Sequence, residues 1–408
     1  MEETMKIIKE VSKLIEDVKA ANILLPEITI EKRALKKVPT YLKDKGYKKV
    51  VIVADDNTNE VAAKQLSDDF SGVCDEVKTV LLKPTTHGQV IADEQTLVQL
   101  LIETPEDTDL ILAVGSGTIH DVVRFVGYKM SVPFVSIPTA ASVDGFTSKG
   151  APLILRGVKQ TIQTASPIAV FADIDVLVQA PRELTAAGFG DILGKYTSLL
   201  DWKISDLVGG EPYSQRAADM TRRTLENCVR NADKIANGDD EGMKILIQSL
   251  IESGLVMLVL DFSRPASGAE HHLSHYWEMD LLNKDAEQLL HGAKVGVSTT
   301  IITELYKLLA QYDIDNLPTD YQYKHQLKEH WSSITTMMDQ LPEPSSLKQL
   351  LEVVGGPTTT DELGLANSLV QDSLNEAFTL RDRCTGLLII NQLKRSEINF
   401  PIEVLELA

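Results

Sequence analysis

The sequence predicts an α/β domain built on a parallel sheet, followed by an all-helical domain. Three observations carry that prediction. Short β-rich runs alternate with helix-spaced segments up to about residue 180. Beyond Pro181 the apolar spacing becomes almost wholly helical. At 408 residues the chain is also too long for one ordinary core, which favours a division into 1–180 and 181–408.

The elements follow in order. Lys48 to Ala54 (KKVVIVA) reads as a buried strand, and Glu60 to Phe70 as the helix after it. Val77 to Leu82 is a second strand, followed by helical spacing from about Ala92 to Glu103. Leu110 to Val114 (LILAV) is the clearest strand; Thr118 to Tyr128 is its helix, and Val132 to Ile137 returns as a strand. Val170 to Leu177 reads as extended. Long amphipathic helices are expected around Tyr213 to Ile235, Glu241 to Asp261 and Lys284 to Tyr312. Pro342, Pro344 and the Gly355-Gly356-Pro357 cluster mark loops. A cleft between two such domains is a favoured place for a cofactor.

Composition excludes several function classes. The formal net charge of −19 and pI near 4.9 argue against binding nucleic acid or an anionic membrane, which both require a field of Lys and Arg. Cys74, Cys228 and Cys384 lie far apart, with no CxxC or zinc-ribbon spacing, and suit a reducing compartment. The opening MEETMKIIKEVSKLIEDV lacks the apolar centre of a signal peptide. No uninterrupted apolar run approaches the roughly 20 residues of a bilayer span. A cytoplasmic protein is expected.

Two features address a dinucleotide. The strand LILAV runs directly into Gly115-Ser116-Gly117-Thr118-Ile119, where small residues allow backbone close to a pyrophosphate and the N–H groups of a helix start attract its charge. His120 stands where the third glycine of a full GxGxxG would be, so a simple tight turn explains the run as well. Asp55, past the strand ending VIVA, is placed to accept from a ribose diol, or else to cap the next helix.

The third feature is a cluster of metal-ligand types. Only eight histidines occur, and His271, His272, His275 and His291 fall close together. His271 and His275 share a helix face, and His291 opens another helix-like segment. Imidazoles on two helices and one carboxylate suit zinc or a similar ion. Asp191, inside the small apolar run GFGDIL, is the candidate carboxylate; the competing explanation is a first-turn Asp favoured by a helix dipole.

Together these motifs resemble the bacterial sn-glycerol-1-phosphate dehydrogenase family, within the superfamily of metal-dependent polyol dehydrogenases and dehydroquinate synthases. The matching segments run nearly end to end: AVGSGTIHDVVRF, PTAASVDGFTSKGAP, AGFGDILGK, SRPASGAEHHLSH, LHGAKVG and TLRDRCTGL. The resemblance implies a Rossmann-like N-terminal domain and a dehydroquinate synthase-like helical domain, with catalysis in the groove between them. It makes Asp191, His271 and His291 the ligands of one divalent metal, zinc or nickel. His271 is preferred over His272 because it directly follows the glutamate of SGAEH. Gly115, Ser116, Gly117, Thr118 and Ile119 would cradle the phosphates of NAD, or of NADP. Asp55 would face the adenosine ribose and favour NAD, while Thr139, Ser142 and Ser148 line the nicotinamide half. Asp144, Asp191 and His275 would contact substrate, with Asp191 and His275 catalytic. A homodimer is the family-like expectation.

The implied reaction interconverts dihydroxyacetone phosphate and sn-glycerol 1-phosphate, the metal polarising the carbonyl while NAD(P)H gives hydride. The substrate phosphate requires a cation. Arg264 is the first choice because guanidinium suits a phosphate fork; Lys149 and Lys195 are the others. Rival readings are a glycerol dehydrogenase, a dehydroquinate synthase-like cyclase, and a non-catalytic nucleotide-binding protein.

Overall fold

The computed structural model describes residues 2–20, 23–314, 317–318 and 320–407. Six strands form one wholly parallel sheet in the order β1-β8-β5-β4-β2-β3. They are β1 (Glu27–Glu31), β2 (Lys49–Ala54), β3 (Glu76–Leu81), β4 (Leu110–Gly115), β5 (Phe134–Pro138) and β8 (Ala169–Asp173). The central β2, β4 and β5 are buried on both faces, which is why they read as continuous apolar runs. Ile52 and Leu112 pack into the core beneath one face, and Val51 and Ala113 into the core beneath the other, as a period of two requires. An antiparallel hairpin, β6 (Gly150–Leu155) with β7 (Val158–Gln163), stands apart from the sheet.

In the first half the helices are α1 (Glu2–Val18), α2 (Val38–Lys45), α3 (Asp56–Thr58), α4 (Lys64–Asp69), α5 (Glu94–Glu103), α6 (Gly117–Met130) and α7 (Ile174–Leu177). The helix expected over 60–70 is α3 and α4 joined by a π-helical turn, Asn59–Ala63. The expectation of extended chain to Leu177 is corrected: β8 stops at Asp173, whose side chain accepts from the Asp175 N–H and starts α7. The same carboxylate accepts from the N–H groups of Arg33 and Leu35, pinning the loop after β1.

The rest is helical: α8 (Arg182–Leu193), α9 (Lys195–Leu207), α10 (Gln215–Arg230), α11 (Ala232–Asn237), α12 (Asp240–Leu260), α13 (Ala269–Asn283), α14 (His291–Leu309), α15 (Lys324–Asp339), α16 (Pro344–Val354), α17 (Asn367–Glu376) and α18 (Gly386–Leu393). The helix expected over 213–235 breaks at Asn231 into α10 and α11, and the one expected from Lys284 starts only at His291. By length and composition α12 is apolar enough to cross a membrane, but its most apolar window is mostly buried within the fold, as in a core helix. Val11 and Leu14 of α1 join the same core as α12.

Helices α8 and α14 touch backbone to backbone. A Cβ on Gly292 would lie 1.8 Å from the Ala187 carbonyl oxygen, and one on Gly190 would lie 2.3 Å from that of Gly292. Gly188 is equally tight on its other side, where a Cβ would lie 1.9 Å from the Ala141 oxygen. Only glycine permits such an approach, and it brings Asp191 of α8 beside His291 of α14.

Candidate metal and dinucleotide cleft

The direction of strand crossovers reverses between β2 and β4, so a crevice opens at their carboxyl ends. Val53 pairs with Ala113, which makes Asp55 and the Gly115-Ser116 turn leave the sheet side by side. The first N–H groups of α6 have no carbonyl ahead of them in the helix, and the Ser116 side chain does not cap them. Ser116, Gly117 and Thr118 line a cleft of about 360 Å³, with Ser142 and Ser148 also on its wall. Gly115, Ile119, Thr139 and Asp55 are not on that wall. Ile119 turns its side chain into the core and fills the space over Gly115, so only its backbone can face a ligand. Thr139 is buried, its N–H donating to the Gly115 oxygen at 3.1 Å. Asp55 makes the capping interaction, accepting from the Thr58 N–H at 2.8 Å and the Thr58 hydroxyl at 2.9 Å. His120, at the third-glycine position, bonds the Ser116 oxygen and the Ser136 hydroxyl, both at 2.8 Å. Burial pushes it down to about 3, a neutral structural histidine.

On the helical wall of the same cleft, one ligand atom each from Asp191, His271 and His291 lies within 4.8 Å of the others. Asp191 is fully buried in the last turn of α8, not the first, so the helix dipole does not favour its charge there. Its stabilisation comes from elsewhere. Oδ2 accepts from the Asp144 N–H at 2.9 Å, and the Lys195 ammonium lies 3.6 Å from Oδ1. Burial opposes its ionisation, yet Lys195 and His271 hold the Asp191 carboxyl well below the usual carboxylate range. Oδ1 and His291 Nδ1 are buried without a hydrogen-bond partner, which fits a site made for a cation. His272 is also buried, but burial and Arg383 push it down to about 3 and it faces away from the cleft.

Glu270, which in the sequence served only to mark His271, orients the cluster. Its Oε1 accepts from His271 Nδ1 at 2.8 Å and its Oε2 from the Thr197 hydroxyl at 2.6 Å. That bond leaves His271 Nε2 for an ion, 3.6 Å from Asp191 Oδ1. Glu270→Gln is expected to weaken metal affinity about 10–100-fold, as losses of such supporting carboxylates do, measured by titrating metal into the apoprotein.

The remaining groups complete the floor. Asp144 Oδ2 accepts from Lys195 at 2.6 Å and from the Ser253 hydroxyl at 2.8 Å. Burial and the nearby Asp191 charge raise the Asp144 carboxyl. Burial opposes the charge on Lys195, but Asp144 and Asp191 raise it, so it stays an ammonium. The His275 ring lies 6.0 Å from that of His271 and 5.9 Å from that of His291, and burial keeps it neutral. The expectation for Arg264 is corrected. Its guanidinium is bonded to Glu211 and stacked on Phe262, and it is absent from the cleft wall. Lys159, Lys294, Glu278 and Asp121 do line the cleft and were not anticipated. A helical-face argument could have found Glu278, three residues beyond His275; nothing in the sequence signals Lys159.

Residues 29–181 match the family model described as iron-containing alcohol dehydrogenase. A Geobacillus stearothermophilus protein named glycerol-1-phosphate dehydrogenase (NAD(P)+) is 45% identical, covering 91% of this chain and 94% of its own. One of the same name from Bacillus subtilis is 44% identical over 92% of this chain and 93% of its own. Among solved structures, an alcohol dehydrogenase from Oenococcus oeni shares the fold with a TM-score of 0.66 at 16% identity, over 90% of this chain and 96% of that one.

Proposed function

The chain belongs to the glycerol-1-phosphate dehydrogenase family, and from that premise we propose how its cleft interconverts dihydroxyacetone phosphate and sn-glycerol 1-phosphate. Asp191, His271 and His291 would hold one divalent ion; zinc and nickel both suit two imidazoles and a carboxylate. The ion supplies positive charge beside the substrate carbonyl, and NAD(P)H supplies the hydride. Ser116, Gly117 and Thr118 in the first turn of α6 would hold the cofactor's pyrophosphate, and Ser142 and Ser148 would line its nicotinamide half. Asp55, at the carboxyl end of β2, would repel a 2′-phosphate and so favours NAD.

His275, neutral and facing the same cleft, hydrogen-bonds the reacting oxygen and passes its proton. Lys195 keeps Asp191 and Asp144 from repelling each other and so fixes the floor on which the substrate sits. The division near residue 180 belongs to the same reading: the sheet half carries the nucleotide and the helical half the metal. Cytoplasmic location and a homodimer are supported by the resemblance alone.

The observation that carries this reading is the convergence of one carboxylate and two imidazoles within 4.8 Å on the wall of a cleft that also holds a glycine turn. Metal-loaded protein given dihydroxyacetone phosphate and NADH should consume NADH and yield sn-glycerol 1-phosphate on chiral analysis. Accumulation of the 3-phosphate enantiomer, or faster oxidation of free glycerol than of glycerol 1-phosphate, would overturn it.

A further inference from the structure

The substrate's phosphate must be held by a cation, and the cleft offers few that are not already engaged. Arg264 is bonded to Glu211. Lys195 is engaged by Asp144 and Asp191. Arg124 spends its guanidinium on Asp121 and on the carbonyls of Gly145 and Gly150. Lys149 reaches Asp261, more than half exposed, at 2.9 Å.

Two further ammoniums line the cleft, and they share a single carboxylate, so their charge exceeds that of their partner. Lys159 of the β6–β7 hairpin lies 2.7 Å and 2.8 Å from the two oxygens of Glu278, and Lys294 of α14 lies 2.8 Å from one of them. The Lys294 side chain is almost completely buried and those of Lys159 and Glu278 are mostly so, yet all three reach the cleft wall. One carboxylate between two ammoniums leaves an excess positive charge. An ammonium has three N–H donors. Lys159 uses two on Glu278 and Lys294 uses one, so three stay available for an anion.

The trio also sits one short helical step from His275 and from His291. Glu278 follows His275 by three residues on α13, and Lys294 follows His291 by three on α14. Each step is about 4.5 Å of helical rise. In dihydroxyacetone phosphate the carbonyl carbon and phosphorus are separated by three bonds, a comparable reach. Burial lowers the Lys294 ammonium from its ordinary value, and an arriving dianion would offset that cost.

Resting on the reading that the substrate is a triose phosphate, we propose that Lys159 and Lys294, held together by Glu278, form the subsite for its phosphate. Glu278 keeps the ammoniums paired and oriented while the site is empty; the phosphate then takes the remaining donors as charge-assisted bonds.

Calorimetric titration of the metal-loaded protein with inorganic phosphate, sn-glycerol 1-phosphate and NADH tests this without relying on turnover. Lys159→Met should weaken both phosphate ligands about 10–100-fold, the effect of losing a charged hydrogen bond, and leave NADH affinity within about twofold. Lys294→Met should do the same; because it strips a buried partner from Glu278, Glu278→Gln serves as the second variant. Glu278→Gln frees both ammoniums, so it should bind phosphate at least as tightly as the parent. Unchanged phosphate affinity in Lys159→Met would overturn the proposal. So would parallel losses of phosphate and NADH binding in Lys159→Met and Glu278→Gln, since they would make the trio a mere clasp between hairpin and helix. A parent protein that binds phosphate but never oxidises glycerol 1-phosphate would refute the family reaction and leave the subsite standing.

Discussion

Asp191→Ala is expected to abolish metal retention and turnover together, lowering kcat/KM by about a thousandfold or more. A bound cation contributes several kcal/mol of charge stabilisation in the transition state, and each 1.36 kcal/mol is tenfold in rate. Asp191 is the only carboxylate in the triad and has no exposed surface, so solvent cannot substitute for it. Its loss would also leave Lys195 with only Asp144 as a direct ion-pair partner. Metal analysis of the purified variant beside a steady-state assay checks both parts. Full activity after exhaustive chelation of the parent would remove the basis of the chemistry. The uptake of metal carries a pH signature. Burial lowers the affinity of His271 for a proton, but Asp191 and Glu270 overcome this and raise it to about 9. An ion must displace that proton, so its apparent affinity should rise with pH and level off near 9.

Gly292→Ala is expected to be severely damaging for the addition of a single methyl group. The new Cβ would lie 1.8 Å from the Ala187 oxygen and 2.5 Å from its carbonyl carbon, and neither belongs to a side chain that can swing away. Helices α8 and α14 would have to separate. Alanine's better helix propensity returns about 1 kcal/mol, whereas overpacking of this kind costs about 1–3 kcal/mol and more when backbone must move. Because His291 adjoins Gly292 and Asp191 adjoins Gly190, separation also pulls ligands apart. A lowered melting temperature together with weakened metal binding is the expected result. An unchanged melting temperature would show that the two helices can yield.

The sequence was legible where burial is two-sided or where unusual residue types cluster. β2, β4 and β5 read as strands because both faces are buried, and the histidine cluster stood out against a chain with few histidines. β1 (EITIE) is an edge strand with charged ends, and β7 (VKQTIQ) is largely solvent-facing, so neither shows a continuous apolar run. Arg264 shows a different failure. Nearness to the metal histidines in sequence says nothing about where a long side chain points, and Glu211, 53 residues away, claims it. Asp191 could be picked out as an oddity, but its position in the last turn of α8, which removes the ordinary explanation, required the helix boundaries. Lys159 and Lys294 meet only because a hairpin folds onto α13.

Asp144 belongs to the loop after β5 that also carries Ser142 and Ser148, yet its N–H is bonded to Asp191 and its carboxylate to Lys195. One residue of the loop proposed to face the nucleotide is therefore wired to the carboxylate proposed to hold the ion. Linkage makes such a connection run both ways: whatever grip the cation gains when the dinucleotide is seated, the dinucleotide gains by the same factor when the cation is in place.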